Sequence, residues 1–395
     1  MRIRDVEAFP VANPARPAIG GPFWVFLRLR TDEGIVGYGE VSVNALAWRP
    51  RLIGKMIEDL VEDYLIGCEV SDLEALYARL YNAAYSHASD LTKSAITSGL
   101  EMACLDILGK ATGTPAYALL GGRLRDRLRS YTYIAPGPEN AHLGPGEFWR
   151  RPRDIAERAA EYVKSGFTAL KIDPLPGLGG LQDHAGQLVP VQWTLDVLDR
   201  AQDVIAAIRE AVGNACDILI GTHGQMTASA AIRLAKRLEP YDPMWLEEPV
   251  PPEMPEEMAK VARGTTIPIT AGERLTSKWE FARLIETGAV AICNLDVSQV
   301  GGLTEAKKIA ALAEAHYVQI SPHVFGGPLV AVASIHLSVS SPNFLIMEGN
   351  GTYTGVHRDL LDEPLQWRDG YFLPSERPGL GHSLNEELAR QLAPS

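Results

Sequence analysis

Apolar and polar positions change rhythm twice along this chain. Two β-rich runs, residues 23–30 (FWVFLRLR) and 35–42 (IVGYGEVS), flank Thr31-Asp32-Glu33-Gly34. That pattern predicts a β-hairpin, because aromatic and β-branched residues favour strands while Asp and Gly favour turns. From Arg51 to about Gly113 apolar residues recur at helical spacing, most clearly over 95–108 (AITSGLEMACLDIL). Gly121-Gly122 then punctuates the chain. From about Ser130 short apolar runs alternate with amphipathic stretches. The runs fall at 130–134, 168–172, 218–220, 244–246, 267–270, 289–295, 318–320 and 344–347. The helical patterns between them include 196–211, 228–238, 279–287, 303–315 and 329–339. Such an alternation predicts an α/β fold with a closed parallel barrel. An open doubly wound sheet ranks second, since no G-x-G-x-x-G follows a strand. The tail, 366–395, reads as a turn and a short helix that packs back on the N-terminal part.

Composition narrows the function. The chain has 395 residues, with 46% hydrophobic residues and a formal net charge of −12. The length fits two domains and the composition a globular core. The acidic balance argues against nucleic-acid binding, which needs a basic face. No run of about 18 apolar residues exists, so no membrane span is expected. The N-terminus, MRIRDVEAF, lacks the apolar core of a signal peptide. Cys68, Cys104, Cys216 and Cys293 form no C-x-x-C pair and read as reduced thiols. A cytoplasmic protein is the expectation.

The chemistry lies where the runs end. Lys171 and Asp173 end the second, His223 follows the third, and Glu247 and Glu248 end the fourth. Glu273 follows the fifth, Asp296 ends the sixth, His323 follows the seventh and Glu348 ends the eighth. In a parallel barrel, reactive groups collect at the C-terminal ends of strands. Glu247 and Glu273 offer hard oxygen ligands that suit Mg²⁺. His323 beside Asp296 makes a base with an orienting carboxylate. Lys171 could bind a carboxylate or act as a second acid or base. Bland readings stand beside these: Asp173 before Pro174 as a turn former, Glu348 as a structural hydrogen-bonder, His223 as a loop histidine. The segment 174–191, rich in Gly and Pro and carrying Asp183 and His184, reads as a substrate-covering loop.

At these residues the sequence resembles the enolase superfamily, in its mandelate racemase/muconate lactonizing branch and closest to acid-sugar dehydratases. WLEEPVPPE, ITAGERL, LDVSQVGGLTEAKKIAALAE and SPHVFGGP carry the resemblance in the barrel. VFLRLRTDEGIVGYGE, ACLDILGKATGTPAYALLGG and the closing YFLPSERPGLGHSLNEE carry it outside. The resemblance implies a (β/α)7β TIM-like barrel, 126–359, under an α+β capping domain, 1–125, completed by about 360–395. It implies Mg²⁺ on Glu247 and Glu273, an Asp296–His323 dyad, and Glu348 against the substrate. Lys171 matches the first lysine of a Lys-x-Lys motif, while Asp173 replaces the second. His223 matches a histidine that protonates a leaving hydroxide. The function implied is Mg²⁺-dependent dehydration of an aldonic or aldaric acid to a 2-keto-3-deoxy acid. A cycloisomerase or epimerase is the alternative, and a non-catalytic relative the third reading. A homo-oligomer, dimer or octamer, is expected, with specificity set by loops near 13–21 and 44–50.

Gly221 departs from that pattern, because the family carries an aspartate there as first metal ligand. Asp217 cannot substitute: four residues along a strand is roughly 13 Å. Three outcomes stay open. His223 becomes the third ligand, Asp173 completes the shell, or the ion binds through two glutamates and water.

Overall fold

The computed structural model describes residues 1–15, 20–42, 44, 49–83, 87, 89–140, 142–143, 145–148, 151–176 and 189–394. Asp183, His184 and most of the segment 174–191 lie outside these residues, as do parts of 13–21 and 44–50.

The N-terminal part opens with a three-stranded antiparallel sheet of β1 (Ile3–Ala12), β2 (Phe23–Thr31) and β3 (Val36–Val41). The hairpin turns where the sequence places it, with Gly34 at φ +81°. Helices α1 (Pro50–Tyr64) and α3 (Leu91–Thr112) cover the sheet, and α2 (Leu73–Asn82) packs against α3. Asp90 starts α3 by accepting the Lys93 N–H at 2.9 Å, and Gly113 ends it in the left-handed region. The spacing of Gly37 and Gly39 on β3 has a direct cause. A Cβ on Gly39 would lie 1.9 Å from the Gly99 carbonyl of α3, and one on Gly37 would lie 2.1 Å from the Ala103 carbonyl. Only glycine lets strand and helix approach so closely.

The larger part is a barrel of parallel strands β4 (Leu128–Tyr133), β5 (Ala169–Ile172), β6 (Asp217–Gly221), β7 (Trp245–Glu247), β8 (Ile269–Ala271), β9 (Ile292–Cys293), β10 (Gln319–Ile320) and β11 (Met347–Glu348). Each of β4 to β9 pairs with the next, and β11 pairs with β4. The ring closes because Leu345 donates to the Ile320 carbonyl and Ile320 to the Asn343 carbonyl, both at 2.9 Å. From β8 onward the strands are shorter than the apolar runs, whereas β4 and β6 are longer. The run 289–295 keeps Ile292–Cys293 as its strand, with Ala291, Asn294 and Leu295 adding backbone bonds to neighbouring segments. Helices Ala228–Leu238 and Leu303–Ala315 match their sequence patterns end to end. Pro152–Lys164 and Pro255–Gly264, each with Pro in its first turn, complete the outer layer.

The tail divides. Its helix Glu386–Gln391 packs on β1, where Arg390 bonds Glu7 and Glu386 bonds Arg28. Its hairpin, β12 (Gln366–Arg368) and β13 (Tyr371–Leu373), instead pairs antiparallel with β4. The four cysteines are free thiols. No helix among the described residues is long and apolar enough to cross a membrane.

Candidate active site

Inside the barrel, Tyr131, Ala169, Leu219, Trp245, Ile292 and Ile346 form a closed apolar layer. Side chains on a strand alternate, so the residue two further on faces the same interior, one level higher. Those residues are Tyr133, Lys171, Gly221, Glu247, Asn294 and Glu348. The mouth is therefore the second layer of the barrel lining, resting on a hydrophobic floor. Glu273, Asp296 and His323 join it from the segments after β8, β9 and β10.

His323 stands between carboxylates. Its Nδ1 lies 2.8 Å from Asp296 Oδ2, and its Nε2 is 3.6 Å from Glu273 Oε2 and 3.8 Å from Glu348 Oε2. Asp296 is held in turn: its Oδ1 accepts the Ser298 N–H at 2.8 Å and hydroxyl at 2.6 Å, and its Oδ2 accepts Gln299 Nε2 at 3.1 Å. Burial alone would lower the pKa of His323. The charge of Glu273, the bond to Asp296 and the charge of Glu348 outweigh it and raise the pKa to about 10.

A second imidazole–carboxylate pair lies across the mouth. His223 Nδ1 is 2.9 Å from Asp173 Oδ2. The other oxygen of Asp173 accepts the Leu175 N–H at 3.2 Å, a turn of the Asx kind. Asp173 thus forms a turn and bonds His223 at the same time. His223 has φ +50°, and its carbonyl accepts a bond from Arg274. A non-glycine residue in that region is held there by its surroundings.

Lys171 is fully buried and its ammonium bonds Glu247 Oε1, with Glu348 Oε1 at 3.4 Å. The rings of Tyr133 and Tyr131 lie 4.9 and 5.8 Å from it. Burial opposes its charge, but Glu247 and Glu348 hold the ammonium well above the ordinary lysine range. Glu247 Oε2 accepts Trp245 Nε1 at 3.0 Å. Burial pushes the Glu247 carboxyl up; Lys171 opposes this, while nearby Glu273 and Glu348 add to it. For Glu273, burial is outweighed by the charges of His323, His223, Lys171 and Arg274, which hold it well below the usual range. Glu348 Oε2 accepts the Val324 N–H at 3.0 Å.

Three contributors are not among the residues picked out from the sequence for chemistry: Tyr133, Trp245 and Arg274. The first two carry a readable signal, since Trp245 shares a face with Glu247 and Tyr133 lies two residues beyond Tyr131. Glu248 ends its strand beside Glu247 but turns away at φ +45°. Its Oε1 accepts the Gly272 N–H at 2.8 Å.

A ring of buried carboxylates and imidazoles at the C-terminal ends of a closed β/α barrel defines a barrel enzyme equipped for proton transfer. Residues 5–121 match the family described as mandelate racemase/muconate lactonizing enzyme, N-terminal domain, and 154–388 match the enolase C-terminal domain-like family. The chain belongs to the enolase superfamily, in its mandelate racemase/muconate lactonizing branch, and is a hydro-lyase of that branch. It is 35% identical over 373 residues to the D-galactonate dehydratase of Pectobacterium atrosepticum, covering 93% of this chain and 90% of that protein. A solved structure from Labrenzia alexandrii, provisionally described as a mandelate racemase/muconate lactonizing enzyme, is 47% identical with a TM-score of 0.92. The match covers 100% of this chain and 96% of that one. The mandelate racemase/muconate lactonizing enzyme from a Sulfitobacter species is 40% identical, with a TM-score of 0.92 and coverage of 100% and 96%.

Enolase-superfamily sites use one or two Mg²⁺ ions. Here Glu273 Oε2 is buried without a hydrogen-bond partner. An orphaned carboxylate oxygen beside a second carboxylate fits a hard divalent cation. The rest of the shell is thin. No group of three His, Cys, Asp or Glu side chains among the described residues is arranged to hold a metal. Asp173 is committed to His223, and Gly221 contributes no ligand.

Proposed function

We propose that this chain dehydrates an aldonic or aldaric sugar acid to a 2-keto-3-deoxy acid. Its relatives include D-galactonate dehydratases. The observation that carries the reading is the presence of two separate imidazole–carboxylate pairs in one mouth, at 2.8 and 2.9 Å. Dehydration needs one group to take the proton next to the carboxylate and another to protonate the departing hydroxide.

His323 takes the α-proton at Nε2, because Nδ1 is engaged by Asp296. Asp296 fixes the tautomer and the ring plane. The resulting enediolate expels the β-hydroxyl as water, with the proton delivered from His223, and the enol left behind takes a proton at C3 and loses its hydroxyl proton to become the 2-keto-3-deoxy acid. Asp173 holds His223 by Nδ1 and leaves Nε2 for that transfer. Lys171 and Glu348 border the same space and position the acid. Glu247 and Glu273 are the residues that would hold Mg²⁺. When bound, Mg²⁺ supplies positive charge to the substrate carboxylate. The reduced cysteines fit a cytoplasmic enzyme.

The test is a panel of aldonic and aldaric acids incubated with protein and Mg²⁺, scored for 2-keto acid. Turnover of one or a few related acids is expected. Exchange or epimerisation at C2 without any keto acid would replace dehydration by the isomerase alternative.

A further inference from the structure

His223 keeps a left-handed backbone, φ +50°, although it carries a Cβ. Such a residue stays there only where its surroundings over-determine it. The segment after β7 supplies part of the hold. The Glu247 carbonyl accepts the Thr222 N–H at 3.1 Å. The Glu248 carbonyl accepts the Gly224 N–H at 2.6 Å and the Thr222 hydroxyl at 2.8 Å. These bonds fix the residues on either side of His223. Arg274 supplies the rest, donating from Nη2 to the His223 carbonyl. It arrives on a turn after β8, closed by the Leu275 N–H on the Gly272 carbonyl at 3.0 Å. Glu248 anchors that turn too, through the Gly272 N–H at 2.8 Å. Gly224 makes room for the guanidinium, since a Cβ there would lie 2.7 Å from Arg274 Nη1.

We propose that Arg274 is a positioning residue for His223. Its guanidinium locks the His223 backbone, and Glu248 holds the turns on both sides, so that the imidazole stays on Asp173 and presents Nε2 to the departing hydroxyl. The inference rests on His223 as the acid of the dehydration proposed above. His323 is held separately, by Asp296. Loss of Arg274 therefore uncouples the two halves of the reaction: proton removal continues while expulsion of hydroxide slows. A reacting group displaced by about 1 Å costs about 10²-fold in rate. The charge of Arg274 also bears on Glu273, whose Oε1 lies 3.9 Å from its Nε. An effect by that route would reach His323, 3.6 Å from Glu273, and slow proton removal as well.

The experiment is Arg274→Met on the full chain in D₂O, beside wild type and His223→Asn, with a sugar acid that the wild type dehydrates. Formation of 2-keto acid falls by about 10²-fold. Total proton removal, counted as keto acid plus acid deuterated at C2, stays close to the wild-type rate. Should Arg274→Met fold poorly, Arg274→Gln, shorter and uncharged, decides alone with the same expectation. A parallel fall in proton removal and dehydration overturns the positioning role, and so does dehydration at the wild-type rate. Where His223→Asn blocks dehydration and the Arg274 variants do not, the positioning role alone fails. Where His223→Asn itself dehydrates normally, or the wild type yields no keto acid from any sugar acid, the underlying reading fails and takes the role of Arg274 with it.

Discussion

Two sets of buried carboxylates divide this molecule. Those at the seam between the N-terminal part and the barrel are satisfied by backbone. Glu40 accepts N–H bonds from Gly327, Leu329 and Val330, the start of helix Pro328–Ser340, the latter two at 3.0 and 3.1 Å. Glu101 does the same for helix Leu303–Ala315, from Leu303 at 2.8 Å and Thr304 at 2.9 Å. Asp106 joins the N-terminal part to the C-terminal tail instead, taking N–H bonds from Tyr38 and Leu380 and an ion pair from Lys110. Those in the mouth face each other and a few cations, and Glu273 keeps an oxygen with no hydrogen-bond partner. Both sets are buried, so burial alone does not separate staple from chemistry. What separates them is the capacity left over. A carboxylate saturated by helix N–H groups joins two parts of the chain, whereas an undersatisfied one is ready for an ion or a substrate.

The largest effect should come from the mouth. His323→Asn should lower both turnover and α-proton exchange by about 10⁴-fold, with the melting temperature nearly unchanged. Retained exchange would move the base elsewhere. The seam should give the reverse pattern. Glu101→Ala leaves helix N–H groups buried and unpaired, and should cost about 3 kcal/mol in urea unfolding. Unaltered stability would remove the distinction between the two sets.

A smaller effect is expected from His336, buried at the same seam. Its Nδ1 accepts the Tyr117 N–H at 3.1 Å and its Nε2 donates to the Leu380 carbonyl at 3.0 Å. Burial depresses its pKa to about 4. A histidine with a depressed folded-state pKa stabilises fully above its ordinary value, near 6.5, and loses that contribution as pH falls towards 4. Stability should drop by about 2 kcal/mol between pH 7 and pH 5 from this residue. Urea titrations at both pH values, on wild type and His336→Asn, check it. The variant should show the shallower dependence, and equal slopes would exclude His336 as the cause.

Much of the mouth was legible because the barrel repeats one rule. Each apolar run predicts a floor residue, and the polar residue after it faces the opening, as with Trp245 and Glu247 or Ile346 and Glu348. The seam staples were not legible. Glu40 and Glu101 sit in stretches of ordinary polarity, and their partners lie 287 and 202 residues away. Nor could spacing show that Asp173 would engage His223, 50 residues on. The sequence marked Gly221 as a missing ligand. That Lys171 and Tyr133 fill the space is a fact of side-chain packing.

The division of labour between the two imidazoles is tested most directly by His223→Asn in D₂O, with a sugar acid that the wild type dehydrates. The expected result is deuterium entering at C2 while 2-keto acid formation falls by about 10³-fold. Loss of exchange together with dehydration, or dehydration at the wild-type rate, would contradict the assignment of His223 as the acid that expels hydroxide.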